Sequence, residues 1–434
     1  MARYRHAVQR ANRTTFLGLN YPPEPTGISP YTGAMARGLA GRGHDVRAIT
    51  AHPHYPDWKF SPGYGQWSRR EHIDGVDVLR LRHSVPKRPS SAVPRAISEL
   101  TFGVRQIGAH WGDPDAIVAV SPALISSAVA RARAKLTHRS VPFIVWVQDL
   151  YGLGVKETSG RHGPGAKAIH RLESWLLRSA DKVVVIHDRF ADRVHEDFGV
   201  PRDRIAVVRN WTHLGLMEPA DIAGVREQYG WVDDETVIVH TGNMGVKQGL
   251  HHVVEAGRLA HERGEKVRFV LVGNGSQREP LVAMAAEAPC NVQFVPPLAD
   301  DDFADILQAA DALLVNELPG VAEMAVPSKL TSYFAAGRPV LAATDESGIT
   351  AHEVVSAGAG IVVPAGDAPE LLAGAHRLAA EKEWAATLGE RGRHYRETVL
   401  DEASAIDSFA SLLTDLTATA RSRSSKRAAP RSSD

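Results

Sequence analysis

His240-Thr241-Gly242-Asn243-Met244-Gly245-Val246-Lys247-Gln248-Gly249-Leu250 joins an apolar run at 237–241 to a stretch of helical periodicity from about 250 to 263. The run before it is short and β-branched, as expected of a strand covered on both faces. The glycines between strand and helix let the backbone approach a ligand closely, and the helix that follows offers free N–H groups to an anion. Lys247 sits badly for a helix start, where the dipole disfavours a cation. It sits well beside a diphosphate. Strand, glycine loop and helix form the unit from which doubly wound parallel sheets are built.

The same unit recurs on both sides. Downstream, strand patterns at 267–272, 292–295, 312–315, 340–343 and 360–363 alternate with helical ones, among them a short helix at 329–336. Upstream, residues 15–20, 46–50, 76–82, 116–120, 143–147 and 183–186 read as strands. The pattern lapses near 211–236, so two doubly wound α/β domains are expected, at 14–211 and 212–395. The first 13 residues carry four Arg and no acid, and the stretch after Ala420 carries five basic residues and one acid. Both, 1–13 and 421–434, read as disordered basic tails.

Composition narrows the function. Lys plus Arg and Asp plus Glu number 50 each, without the basic excess of a nucleic-acid binder. Cys290 is the single cysteine, which fits a reducing compartment, a cytoplasmic location and a structural thiol. No window approaches the roughly 20 apolar residues of a membrane span. The first residues lack the apolar core of a secretory signal, and none is expected.

Three further segments bear residues suited to chemistry. The loop Asn20-Tyr21-Pro22-Pro23-Glu24-Pro25-Thr26-Gly27-Ile28-Ser29 follows the first strand, at the carboxyl edge where parallel sheets bind ligands. Ser328 is a good N-cap for the helix ending before Gly337, and the N–H groups of Ser328, Lys329 and Leu330 form a candidate diphosphate cradle. Glu323 lies just upstream, within reach of whatever the phosphates carry. The basic segment 85–95 leads into a partly amphipathic helix that mixes Ile97, Leu100, Phe102 and Val104 with Arg95 and Arg105, an arrangement suited to an anionic membrane surface. His52, His54 and Asp57 lie in a Pro-rich loop without the ligand geometry of a metal site. Asp300-Asp301-Asp302 reads as the start of a helix, not as a metal-diphosphate pair.

Together these pieces resemble the GT-B glycosyltransferases of family 4. The resemblance spans roughly residues 14–400 and rests on YPPEPTG at 21–27, RGHDVRAIT at 42–50, DLYG at 149–152, RNW at 209–211, TGNMGVKQGL at 241–250, VGNGSQ at 272–277 and VPSKLTSYFAAGRPVLA at 326–342. Within the family, NYPPEPTGISPYTG, AHPHYPDW, VPKRPS and GNMGVKQGL look most like the branch of colanic-acid-type exopolysaccharide transferases.

The resemblance implies two Rossmann-like domains facing a cleft, with the acceptor on 14–211, the nucleotide sugar on 212–395, and a helix at 396–420 packing back on the first domain. It implies a retaining hexosyl or deoxyhexosyl transfer to a glycan or lipid-linked acceptor; Lys247 and the helix start at Ser328 would stabilise the leaving diphosphate without a metal, and the basic segment 85–95 is expected to give peripheral contact with the inner face of the membrane. Many relatives carry two glutamates eight positions apart before the Ala-x-Gly of this last motif. Here the second position is Ser332 and the first is Met324, with Glu323 one residue away and expected to stand in. Asn243 replaces the usual phosphate-loop arginine, Lys247 keeps the lysine, and Gln148 replaces a common histidine ahead of Asp149. Asp149, Lys247 and Glu323 are the expected catalytic side chains. Gly27, Asn243, Lys247, Glu323, Ser328, Lys329, Leu330 and Ser332 are expected around the donor, and Glu24, Thr26, Gln148 and Asp149 around the acceptor. A sugar-nucleotide 2-epimerase and a two-lobed sugar-binding protein are the rival readings.

Overall fold

The structure, a computed structural model, describes residues 11–25, 27–86, 92–150, 164–211, 217, 220–321 and 328–428. The chain divides into two units, one formed by Met1–Asn210 with Ala403–Asp434 and the other by Trp211–Glu402.

The first unit runs β1 (Arg13–Gly18), α1 (Ser29–Gly41), β2 (Asp45–Ala51), β3 (Ser68–Ile73), β4 (Val76–Leu81), α2 (Ala92–Gly108), β5 (Ala116–Ser121), α3 (Leu124–Thr137), β6 (Phe143–Val147), α4 (Pro164–Ser179), β7 (Lys182–Val185), α5 (Asp188–Glu196) and β8 (Ile205–Val207). Its sheet has the order β3-β4-β2-β1-β5-β6-β7-β8, parallel except for the β3–β4 hairpin. Every residue of β5 and β6 is buried, which explains their unbroken apolar sequences Ala-Ile-Val-Ala-Val and Phe-Ile-Val-Trp-Val. β1 lies between β2 and β5, so the connections leaving it and β5 diverge at the carboxyl edge.

The second unit runs α6 (Ile222–Tyr229), β9 (Thr236–Asn243), α7 (His251–Glu262), β10 (Val267–Asn274), α8 (Arg278–Ala286), β11 (Val292–Val295), α9 (Asp300–Ala309), β12 (Ala312–Asn316), α10 (Ser328–Ala336), β13 (Val340–Thr344), α11 (Ile349–Ala357), β14 (Gly360–Pro364), α12 (Ala368–Ala380) and α13 (Lys382–Thr398). Its sheet is all parallel in the order β11-β10-β9-β12-β13-β14, with the reversal at β9. Alternate residues feed two cores. Val237 and Val239 pack on one face with Leu330 and Phe334, while Ile238 packs on the other with Val253 and Leu371.

Helix α14 (Glu402–Ala428) then joins the first unit. It starts six residues later than position 396, because α13 continues to Thr398. Phe409 is fully buried, with its ring centre 6.4 Å from Phe16 and 5.4 Å from Trp146. Arg42 donates to Asp407 at 2.5 Å. Residues 421–428 are helical instead of an unstructured tail, and Arg421 pairs with Asp115 at 3.2 Å. Arg and Lys, good helix formers, supply four of these eight residues, which lets the helix continue through the basic stretch. Residues 1–10 and 429–434, also expected in the tails, lie outside the described residues.

Candidate functional site

The second unit builds its site at the reversal of strand order. After β9 the chain makes a single tight turn at Val246–Gln248 and enters α7. Lys247 lies in that turn, half-buried. The turn is fastened to the segment after β12: Leu318 N–H donates to the Lys247 carbonyl at 2.8 Å. Asn316 Nδ2 donates to the carbonyls of Gln248 at 2.6 Å and Gly249 at 3.1 Å. Asn243 ends β9 and is exposed beside it. The Val-Gly-Asn-Gly motif has its reason here. A Cβ on Gly273 would lie 2.1 Å from the Gly242 carbonyl oxygen, and one on Gly275 would lie 2.5 Å from that of Met244.

Helix α10 begins at Ser328, so the N–H groups of Ser328, Lys329 and Leu330 have no partner within the helix. Leu330 is buried and Ser332 half-buried. The Lys329 side chain holds an internal cation that sequence reasoning missed. Its Nζ lies 3.4 Å from His240 Nε2, while His240 Nδ1 lies 3.1 Å from the Leu314 carbonyl. A carbonyl only accepts, so Nδ1 carries the proton and Nε2 accepts from Lys329. Burial pushes Lys329 down to about 8, against the pull of Glu317. Burial and the Lys329 charge hold His240 well below the usual range. Glu317 is in turn held by the hydroxyls of Thr344 and Thr350. Tyr333 locks the helix to the sheet: its hydroxyl accepts from Thr241 N–H at 2.9 Å and donates to the Leu314 carbonyl at 3.2 Å. Glu323 lies outside the described residues.

The first unit has a pocket of about 350 Å³ at its own reversal, lined from the segments after β1, β2, β5 and β6 and from α2. Asn20, Gly27, Tyr55, Trp58, Arg95, Ser98, Glu99 and Asp149 are among its walls. Gly27, assigned from sequence to the donor, is thus a wall of this pocket, with φ of +71°. Trp58 has φ of 53°, a costly conformation for a bulky residue and one that concentrates at binding sites. The Arg95 guanidinium lies 5.7 Å from the Trp58 ring centre.

Glu99 is buried, with its Oε2 accepting from Ile125 N–H at 2.7 Å at the start of α3. Burial pushes its carboxyl up to about 7, against that hydrogen bond and the Arg95 charge. Neither Glu99 nor Arg95 was singled out for the site in the sequence. A carboxylate and an arginine four residues apart on an amphipathic helix was the available signal.

Glu24 is placed one layer behind the pocket wall. Its Oε1 accepts from the N–H groups of His54 at 2.9 Å and Tyr55 at 3.0 Å, and Oε2 accepts from Asn20 at 2.8 Å. Burial alone raises a carboxyl, but His54 and these backbone donors hold Glu24 below its ordinary value. Gln148 is buried, accepting from Asn210 at 2.8 Å. Thr26 lies outside the described residues. His52 and His54 are committed to the carbonyls of Gln66 and His52. A larger hollow of about 640 Å³ in the second unit is lined by Arg338, Pro339 and Thr236, at the amino edge of the strands, the opposite end from the loops that bind ligands.

Residues 26–211 match the model of a glycosyl transferase 4-like domain, and residues 235–381 match that of the glycosyl transferases group 1. A protein of Escherichia coli strain K12 described as a colanic acid biosynthesis glycosyl transferase, WcaI, is 33% identical over 335 residues, spanning 74% of this chain and 80% of that protein. Sucrose-phosphate synthase from Thermosynechococcus elongatus superposes with a TM-score of 0.71 at 19% identity, over 94% of this chain and 100% of that one. Anabaena HepE, solved in complex with UDP-glucose, superposes with a TM-score of 0.67 at 17% identity, over 92% and 99%. Both units have a parallel sheet with a reversal of strand order, both match transferase domain models, and a relative matches across most of its length: the chain belongs to the GT-B glycosyltransferases of the family 4 type.

Proposed function

We propose that the chain moves a hexosyl or deoxyhexosyl group, with retention of configuration, from a nucleotide diphosphate sugar on the second unit to a glycan or lipid-linked acceptor on the first, in cell-surface polysaccharide or glycoconjugate synthesis. The observation that carries this is the fastening of the Lys247 turn to the segment after β12, which holds the backbone of a lysine-bearing turn at the carboxyl edge of a parallel sheet. The UDP-glucose complex of HepE supports the donor class.

In the reaction the bond from the anomeric carbon to the diphosphate oxygen breaks and a bond to the acceptor oxygen forms on the same face. The acceptor proton passes to the leaving diphosphate. Lys247 and the N–H groups at the start of α10 stabilise the charge that develops there, the task a metal ion performs in other sites. Asp149 borders the acceptor pocket and is the candidate to orient the attacking hydroxyl. Glu323 is the candidate on the donor side.

The test is incubation with a panel of nucleotide sugars, with and without membrane extract, with and without EDTA. Release of nucleotide diphosphate together with labelled glycan or glycolipid, undiminished by EDTA, is expected. An epimerised donor without transfer, or binding without turnover, would overturn the reading. Loss of activity restored by magnesium or manganese would overturn its metal-free part.

A further inference from the structure

Helix α2 brings an arginine and a glutamate to one wall of the first unit's pocket without pairing them. Arg95 and Glu99 are four residues apart, which sets their Cβ atoms about 5–6 Å apart on one face of the helix. Both line the pocket. Glu99 Oε2 accepts from Ile125 N–H, not from Arg95. Among the described residues the Arg95 guanidinium has neither an ion pair nor a hydrogen bond, and lies 5.7 Å from the Trp58 ring centre. Burial keeps the Glu99 carboxyl protonated up to about pH 7. With Oε2 occupied as an acceptor, Oε1 is left to carry the proton. This wall therefore offers a guanidinium fork and an acid hydrogen, both of them donors.

The other walls have a different chemistry. The rings of Tyr55 and Trp58 stand at 87° to each other with their centres 5.7 Å apart, a corner suited to the apolar face of a sugar ring. Asp149, whose carbonyl accepts from the Ser121 hydroxyl at 3.1 Å, supplies acceptors for sugar hydroxyls. The volume of about 350 Å³ is at the small end of ligand pockets.

A neutral sugar would use the aromatic corner and Asp149 and leave the donor wall without a partner. A carboxylate on the ring would engage both donors, and the planar fork of an arginine matches it in shape and charge. A phosphate dianion would call for a second strong cation. Among the described walls no lysine or second arginine joins Arg95, and Asp149 would oppose the extra charge. We propose that this pocket selects a sugar acid as the acceptor, with Arg95 recognising its carboxylate, Glu99 donating beside it, and the Tyr55–Trp58 corner carrying its ring. That the sugar acid is the acceptor rests on the transferase reading; that the pocket binds it does not.

The experiment is calorimetric titration of the full chain with methyl glucuronide, methyl glucoside and glucose 6-phosphate, for wild type, Arg95→Gln and Arg95→Lys. Arg95 is exposed, so the variants should melt as wild type does. Wild type is expected to bind the glucuronide on the order of tenfold tighter than the glucoside. Arg95→Gln should lose that margin, and Arg95→Lys, which keeps the charge without the fork, should keep part of it. The pH dependence gives a second signature. Among the described walls the titratable groups facing Glu99 are Arg95, His54, Tyr55 and Asp149. Raising the pH from about 6 to about 8.5 ionises Glu99 and sets a like charge beside the glucuronide, so the margin should shrink. In Glu99→Gln, where His54 and Asp149 still titrate, it should hold. A glucuronide that binds no tighter than the glucoside, glucose 6-phosphate that binds tighter than either, or Arg95→Gln that keeps the full margin would each overturn the proposal. A margin in wild type that ignores pH would remove Glu99 from it. With labelled nucleotide sugars the glucuronide should become labelled; one that binds but stays unlabelled, while membrane extract does accept label, overturns its role as acceptor. No nucleotide release from any donor sinks the transfer reading and the acceptor role with it, while the binding margin decides the pocket independently.

Discussion

Lys247 and Glu99 are single residues whose environments make opposite demands. Lys247 sits in a turn whose hydrogen bonds run through its backbone, so Lys247→Ala keeps the fastening to Leu318. The variant is expected to fold as wild type and to lose about 10²–10³ in kcat, equivalent to about 3–4 kcal/mol of stabilisation of the leaving group. Steady-state turnover at saturating donor checks this, and a near-normal kcat removes the phosphate role. Glu99 is protonated in the folded pocket up to about pH 7, whereas an unfolded glutamate ionises near 4.5. Between those values the unfolded chain releases a proton that the folded chain keeps, so stability falls as pH rises through this window. Glu99→Gln, which still accepts from Ile125, should be more stable than wild type by about 1–3 kcal/mol at pH 8 and equal to it near pH 4.5. Urea denaturation at the two pH values measures the difference. The place of Lys247, in a turn between a strand and a helix, was legible in the sequence because its signal is local, a cation between glycines after a strand. Lys329 and Tyr333 were not legible as side chains, since their partners His240 and Thr241 come from 89 and 92 residues away. Glu24 was seen as a loop carboxylate, but only the approach of His54, 30 residues on, shows that its oxygens are occupied.

At the scale of elements, periodicity reveals the strands that are buried and hides those that are not. β5, β6, β12 and β13 are wholly buried and read at once as apolar runs. β3, Ser-Arg-Arg-Glu-His-Ile, is an edge strand with alternate residues exposed, and its apolar content gives no strand signal. Its turn does: Asp74 and Gly75 have φ of 49° and 80°, the left-handed pair of a tight hairpin, and Asp-Gly between two strands is a strong cue. β8 was missed for its length of three residues. Helix α2 was legible as amphipathic, but which side faced water depended on the pocket and on α3. The late helix α14 contributes Phe409 to the core around Phe16 and Trp146. Phe409→Ala should cost the first unit about 3–5 kcal/mol by emptying that space. Hydrogen exchange checks it: amides of β1 and β6 should lose protection while those of β9 to β14 keep theirs. Unchanged protection in β1 would mean that α14 is not part of that core.

At the scale of the molecule, the two units differ in how they are cut from the chain. The second is continuous, and among the described residues both of its cores draw on the stretch between Trp211 and Glu402. Expressed alone, residues 211–402 should fold with a cooperative melting transition, and residues 1–210 should aggregate unless a peptide of residues 403–434 is supplied. Soluble, cooperatively melting 1–210 on its own would contradict this.

The first unit is discontinuous, assembled from segments on both sides of the second. Ribosomes add about 5–20 residues per second. The surface of Phe16 and Trp146 therefore waits for Phe409 while the whole of Trp211–Glu402 is synthesised, on the order of 10–40 s. The half of the enzyme made first is the half completed last, and during translation its uncovered aromatic face is a natural substrate for chaperones.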